Sequence, residues 1–246
     1  MKRYLITGST SGIGKAVTIA LNAHAATEVI VVGRTMEKLR FLFEECPSQD
    51  PVYHEMLDMS ADPYAISTMI RDWAKDAGPL DGIFHAAGEE LVAPLRMTGD
   101  DSYRRAMVFA DSAFAVLRAA ATPGVMAEGG SVVIMSSVAA HRGTAAMSAY
   151  SGARAAAEAM VRCAATELAP RGVRVNCVAA GAFESPMHER LMRRQPEEAR
   201  AAYARKHPLG IGSVDAVRDA VLYLLSDAAR WTTGTTMVVD GGYLAA

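Results

Sequence analysis

The 246 residues carry a formal net charge of −2, with 51% apolar and 21% charged side chains. Such a chain can bury a large core, is a poor candidate for disorder, and has no overall pull toward nucleic acid or an anionic membrane. Its three cysteines (Cys46, Cys163 and Cys177) are odd in number and show neither a disulfide framework nor metal-ligand spacing.

Short β-branched runs alternate with helical periodicity from one end to the other. Strands are expected at 4–7, 29–32, 52–57, 82–85, 131–135, 173–178 and 236–239, and helices at 14–25, 36–45, 63–75, 101–121, 151–168 and 214–226. Nearly continuous apolar strands separated by helices predict a parallel sheet covered on both faces. Right-handed crossovers then give an α/β, Rossmann-type doubly wound sheet of about seven strands. No linker, repeat or low-complexity tract interrupts the pattern, so residues 1–246 read as a single domain. The irregular stretch is 181–212, with Pro186, Pro196 and Pro208. A long excursion at the carboxyl end of a strand reads as a substrate lid. Its Met187, Met192, Arg190, Arg193 and Arg194 alternate with Glu184, Glu189, Glu197 and Glu198, the pattern of a solvated mixed-charge face. No run approaches the roughly 18 apolar residues of a membrane span, and no leader-like segment follows Met1, so the expected setting is cytoplasmic.

The first strand runs into Thr7-Gly8-Ser9-Thr10-Ser11-Gly12-Ile13-Gly14, and a helix follows. Glycines let backbone N–H groups approach a pyrophosphate, and the helix N-terminus adds partial positive charge. About 20 residues on, where a carboxylate would accept the ribose hydroxyl of NAD, stands Arg34. A guanidinium there can pair with a 2′-phosphate, so NADP(H) is expected in preference to NAD(H).

These residues resemble the short-chain dehydrogenase/reductase family, and the resemblance spans the chain. The glycine turn matches its T-G-x-x-x-G-x-G signature. Asp58 and Met59 resemble the segment that contacts the adenine, and His85-Ala86-Ala87-Gly88 stands where the family has N-N-A-G. Ser137 and Tyr150 have the spacing of the catalytic pair. Gly181, Phe183 and Ser185 fall in the segment beside the nicotinamide. By that resemblance the cofactor contacts are Gly8, Ser9, Ser11, Gly12, Ile13, Gly14, Arg34, Asp58, Met59, Ala86, Ala87, Gly88, Tyr150, Arg154, Gly181, Phe183 and Ser185. The catalytic residues are Ser137, Tyr150 and Arg154. It also implies a small carbonyl or alcohol substrate, and a homodimer or homotetramer formed through the helices at 101–121 and 151–168.

Two positions depart from the family pattern. The usual Lys four residues after the Tyr is Arg154, and the usual Asn in the fourth-helix region is Phe109. A guanidinium about 6 Å from the phenol is worth roughly 3 kcal/mol at an effective dielectric of about 20, enough to favour negative charge on Tyr150. It can also donate hydrogen bonds to ribose hydroxyls. Arg is a poor proton carrier, however, and Phe offers no anchor for a relay water. Carbonyl reduction with Tyr150 as general acid is the leading expectation. A redox-silent coenzyme-binding protein and a non-redox isomerase or dehydratase are the alternatives. His85 is expected to make a structural hydrogen bond and His141 to sit on an exposed loop.

Overall fold

In a computed structural model of the protein, described for residues 1–48, 50–185, 188–189, 192–193 and 195–246, seven strands form one sheet. They are β1 Lys2–Thr7, β2 Thr27–Gly33, β3 Val52–Met56, β4 Leu80–His85, β5 Met126–Ser137, β6 Arg174–Ala180 and β7 Thr236–Val239. The spatial order is β3-β2-β1-β4-β5-β6-β7, and every pairing is parallel. The helices are α1 Gly12–Asn22, α2 Met36–Glu45, α3 Ala65–Ala77, α4 Asp100–Ala121, α5 Ser148–Leu168, α6 Glu197–Ala204 and α7 Val214–Leu225.

The five inner strands β2, β1, β4, β5 and β6 bury side chains on both faces, which requires two helical layers, while the edge strands β3 and β7 are only partly covered. Ile66 and Ile70 of α3, Phe109 and Val116 of α4, and Ala157 and Val161 of α5 pack with Leu5, Ile30, Ile83 and Ile134. On the other face, Val17 of α1, Leu39 of α2 and Val221 of α7 pack with Ile6, Val31, Phe84 and Val133. The alternation of β1 explains the division, since Leu5 and Ile6 point to opposite sides.

Strand order reverses between β1 and β4, the neighbours that lead outward to either edge. In an open parallel sheet the crevice at the carboxyl ends of such strands is where ligands bind. There Thr7 and His85 lie in register, placing the glycine turn beside the segment that begins at Ala86. Ser137 pairs with Ala180 at the ends of β5 and β6, two strands along.

The elements begin and end a few residues from their predicted bounds. The first helix starts at Gly12 rather than Gly14, putting the last two glycines of the turn inside it. The fifth helix starts at Ser148, so Tyr150 occupies its first turn. Of the expected lid, Pro186, Met187, Arg190 and Arg194 lie outside the described residues. Its two ends are held together by a parallel bridge between Phe183 and Gly212, with Glu184 N–H donating to Gly212 O at 2.9 Å. Among the described residues no helix is long and apolar enough to cross a membrane.

Candidate active site

The glycine turn divides its glycines between packing and opening. A Cβ on Gly14 would stand 2.2 Å from Gly8 O, so the helix can meet the strand end only if that position is bare. Gly8 has φ +68°, and a Cβ there would strike the backbone at Ala86 and Ala87. Gly12 is the opposite case: φ is +53°, and nothing lies within 4 Å of where its Cβ would be. Ser11, the N-cap of α1, makes no side-chain capping bond, so the first-turn N–H groups gain nothing from it. An exposed helix N-terminus with open space over a glycine suits a diphosphate. Ser9 and Ile13 contribute differently. The Ser9 hydroxyl donates to Val32 O at 3.2 Å, tying the turn to β2, and the Ile13 side chain is buried in the core.

Thr7 organises the adjoining strand ends. Its Oγ1 accepts from the N–H of Ala86 and of Ala87, each at 3.2 Å, and lies 2.8 Å from His85 Nδ1. A hydroxyl has a single proton, so with two N–H donors upon it Thr7 donates to Nδ1. His85 Nε2 then carries the ring proton toward Ser112 Oγ at 3.1 Å, and Ser112 donates to Phe109 O at 3.1 Å. A neutral imidazole satisfies every partner. Burial, and secondarily the charge of Arg154, push its pKa down from 6.5 to about 3.

At the position expected beside the adenine, Asp58 accepts from the Ser60 hydroxyl at 2.6 Å and the Ser60 N–H at 3.0 Å, and these bonds lower its pKa, as does Arg34. The Met59 side chain enters the core. Arg34 stands 3.3 Å from Glu89. The sequence shows no carboxylate after β2 to oppose a 2′-phosphate, but the fold brings one from the loop after β4. That residue is 55 positions away in the chain, so strand-end motifs gave no signal for it.

The reactive end is built from β5 and α5. Ser136 and Ser137 face opposite ways, as neighbours on a strand must. Ser136 is buried and donates to the Glu158 carboxylate, which also lies 3.1 Å from His141 Nε2. His141, expected on an exposed loop, is exposed on the turn that follows β5 and pairs there with Glu158. Among the described residues Ser137 accepts only from Ala139 N–H, at 3.2 Å, leaving its own proton to donate. The Tyr150 hydroxyl has no hydrogen-bond partner among the described residues, and one turn along α5 Arg154 places its Cζ 4.9 Å from the Tyr150 ring centre. Arg154 is 4% exposed. Its Nη1 donates to Met135 O at 2.8 Å, and its Cζ lies 3.5 Å from the Phe109 ring centre. Gly88 borders this contact: a Cβ on it would be 2.8 Å from Arg154 Nη2 and 2.9 Å from Phe109 Cδ2.

Gly181 is required by the approach of β7, since its Cβ would lie 2.7 Å from Asp240 Cα. Phe183 packs at the edge of the core, and Ser185 Oγ accepts from His188 N–H at 3.1 Å. Tyr203 of α6 is a residue the sequence pattern did not single out. Burial raises its pKa to about 12, with further contributions from Tyr243, Glu90 and Tyr150. Its ring lies against His188, His207 and Tyr243.

A doubly wound sheet with a glycine-rich turn at its switch point and a Ser–Tyr pair one sheet-half away defines a dinucleotide-type oxidoreductase scaffold. The comparisons with known proteins agree. Residues 8–244 match the family model described as enoyl-(acyl carrier protein) reductase. The L-xylulose reductase of Bos taurus is 33% identical over 99% of this chain and 97% of its own length. Carbonyl reductase [NADPH] 2 of Sus scrofa is 32% identical over 99% and 96%. A short-chain type dehydrogenase/reductase from Mycobacterium ulcerans superposes with a TM-score of 0.87, at 29% identity, over 99% of this chain and 90% of that one. The chain belongs to the short-chain dehydrogenase/reductase family, oxidoreductases that interconvert carbonyl and alcohol groups with a nicotinamide coenzyme.

Proposed function

We propose that this chain is an NADP(H)-dependent reductase of small aldehydes or ketones, running also in the alcohol-oxidising direction. The observation that carries the reading is the state of its two reactive hydroxyls. Among the described residues Ser137 has a proton free to donate and the Tyr150 hydroxyl has no hydrogen-bond partner, whereas Ser9, Ser112 and Ser136 are committed to structural bonds. The bound coenzyme supplies the hydride. Ser137 donates a hydrogen bond to the substrate oxygen and holds it toward Tyr150, which gives up its phenolic proton as negative charge grows there. Arg154 keeps a fixed positive charge against the Tyr150 ring, favouring the anion that remains.

Gly12, Gly14 and the first turn of α1 hold the diphosphate, with Gly8, Ser9, Ser11 and Ile13 shaping the turn. Arg34 meets the 2′-phosphate, and Asp58 and Met59 border the adenine. Ala86, Ala87 and Gly88 line the middle of the cleft, and Gly181, Phe183 and Ser185 border the nicotinamide. The NADPH named for the porcine carbonyl reductase supports the coenzyme preference. Residues 1–246 act as one domain, with 181–212 as the substrate lid in a cytoplasmic setting. The chain self-associates through α4 and α5 as a homodimer or homotetramer; α4 leaves Tyr103 and Phe114 exposed.

The test is single-turnover oxidation of NADPH or NADH against a broad panel of carbonyls, for the wild type and Arg154→Lys. Reduction by the wild type, faster with NADPH, is expected. If the wild type reduces nothing while Arg154→Lys does, the reductase reading fails.

A further inference from the structure

A buried guanidinium needs compensation, because charge removed from water is costly unless it is paired. Arg154 has no carboxylate within ion-pair distance among the described residues. Glu158, one helical turn further on, is engaged by Ser136 and His141. Arg154 Nε has no hydrogen-bond partner among the described residues. What the cation does have is one carbonyl, Met135 O, and two ring faces, Tyr150 at 4.9 Å and, much closer, Phe109 at 3.5 Å, well inside the range of a desolvated cation–π contact.

Phe109 is itself held. Its ring stacks on His85 at 5.4 Å between centroids with 27° between planes, and its carbonyl accepts from Ser112. His85 stays neutral and so sets no second positive charge against the ring. Gly88 leaves the room in which phenyl and guanidinium meet. The sequence position that reads as the loss of a relay asparagine is, in the fold, the support of the arginine that replaces the lysine.

We propose that Phe109 is a positioning residue: its ring face fixes the Arg154 guanidinium against Tyr150, and the two substitutions work as one unit. This rests on the reductase reading of Tyr150. The aromatic ring takes no part in proton transfer; it acts through the arginine.

The experiment compares wild type, Phe109→Leu and Phe109→Tyr by two readouts. The first is the Arg154 Nε–H resonance in the coenzyme-free protein, assigned by its disappearance in Arg154→Lys. Above an aromatic face and out of solvent it is expected upfield and slow to exchange. The second is kcat and KM for the best-reduced carbonyl of the panel, with coenzyme affinity by fluorescence. In Phe109→Leu the resonance returns to the ordinary arginine position, and kcat falls about tenfold while KM and coenzyme affinity stay within about threefold, the scale of one desolvated cation–π contact. Phe109→Tyr, which keeps a ring face, restores both. The proposal is overturned if Phe109→Leu leaves the resonance unmoved, or moves it and leaves kcat within about twofold. An inactive wild type overturns the reductase reading instead, and the resonance alone then decides whether Phe109 holds the guanidinium.

Discussion

Arg34, one residue beyond β2, and Glu89, on the loop after β4, meet at 3.3 Å with both side chains more than half exposed. A 2′-phosphate arriving there has to draw the guanidinium away from that carboxylate. An exposed pair is worth at most about 1 kcal/mol, whereas charge-assisted bonds to phosphate are worth about 1.5–3 kcal/mol, so the exchange favours the phosphate. Arg34→Ala is expected to weaken NADPH binding about 10- to 100-fold while changing NADH binding less than about threefold. Glu89→Gln is expected to tighten NADPH about two- to fivefold, an effect that fades as salt rises. Fluorescence titration of each reduced coenzyme measures both, and equal losses for the two coenzymes in Arg34→Ala would remove Arg34 from phosphate recognition.

Gly12 and Gly14 are two residues apart and are expected to fail in different ways. A Cβ on Gly14 collides with Gly8 O at 2.2 Å, and because that is backbone the strand–helix junction itself must shift. Gly14→Ala should lower the urea midpoint by the equivalent of about 1–3 kcal/mol, the scale of an overpacked core. A Cβ on Gly12 meets nothing, so the stability loss there is the left-handed backbone strain of about 1–2 kcal/mol. Its methyl group, however, projects into the space assigned to the diphosphate. Coenzyme affinity in Gly12→Ala should fall at least about tenfold, more than the strain alone explains. Retained affinity in that variant would move the diphosphate elsewhere.

The sheet was legible because its inner strands β2, β1, β4, β5 and β6 are largely apolar on both faces, which leaves a buried parallel arrangement as the economical one. The glycine turn, Ser137 and Tyr150 were legible because their spacing is local. Partnerships made by the fold were not. Nothing near Arg34 in the sequence points to Glu89, since the strand order β2-β1-β4 brings the loops after β2 and β4 together. Arg154 and Phe109 were read as two separate losses because sequence shows residue types but not that one covers the other. Helix starts slipped at α1 and α5 for a related reason: glycine and serine are weak helix formers, and packing rather than propensity set those bounds.

Ser137 and Tyr150 should divide cleanly between chemistry and binding. Tyr150→Phe removes the proton donor but keeps the ring against Arg154, so it is expected to lower kcat about 10²- to 10⁴-fold, the usual scale of general acid catalysis. Ser137→Ala removes one donor to the substrate oxygen and is expected to cost about 10²- to 10³-fold in kcat. Coenzyme affinity in Ser137→Ala should stay within about threefold of wild type, because the proposed partner of its hydroxyl is the substrate oxygen and not the coenzyme. Ser136→Ala provides the contrast: its hydroxyl is bound to Glu158, so it should lose stability and keep the larger part of kcat. Stopped-flow reduction with chemical denaturation on the same preparations checks all three. If Ser136→Ala proved the more damaging to kcat, the reactive serine would have to be reassigned.

His85 gives the fold a pH dependence of predictable sign. Burial, aided by the Arg154 charge, holds its pKa at about 3 against an ordinary value of 6.5. Between those values the unfolded chain binds a proton that the native state does not, so stability rises with pH across this window. The contribution is complete above about pH 6.5 and is lost as pH falls toward 3, at up to about 1.4 kcal/mol per unit. His188, also depressed by burial, adds in the same direction, so wild type alone does not isolate the effect. In His85→Asn the lost bonds to Thr7 and Ser112 should lower stability at neutral pH, but the decline on acidification should be shallower. The gap between wild type and variant therefore narrows between about pH 6.5 and pH 4 in urea denaturation. Parallel declines would mean that His85 titrates in the native state as it does in the unfolded chain, and that its bonds to Thr7 and Ser112 do not depend on a neutral ring.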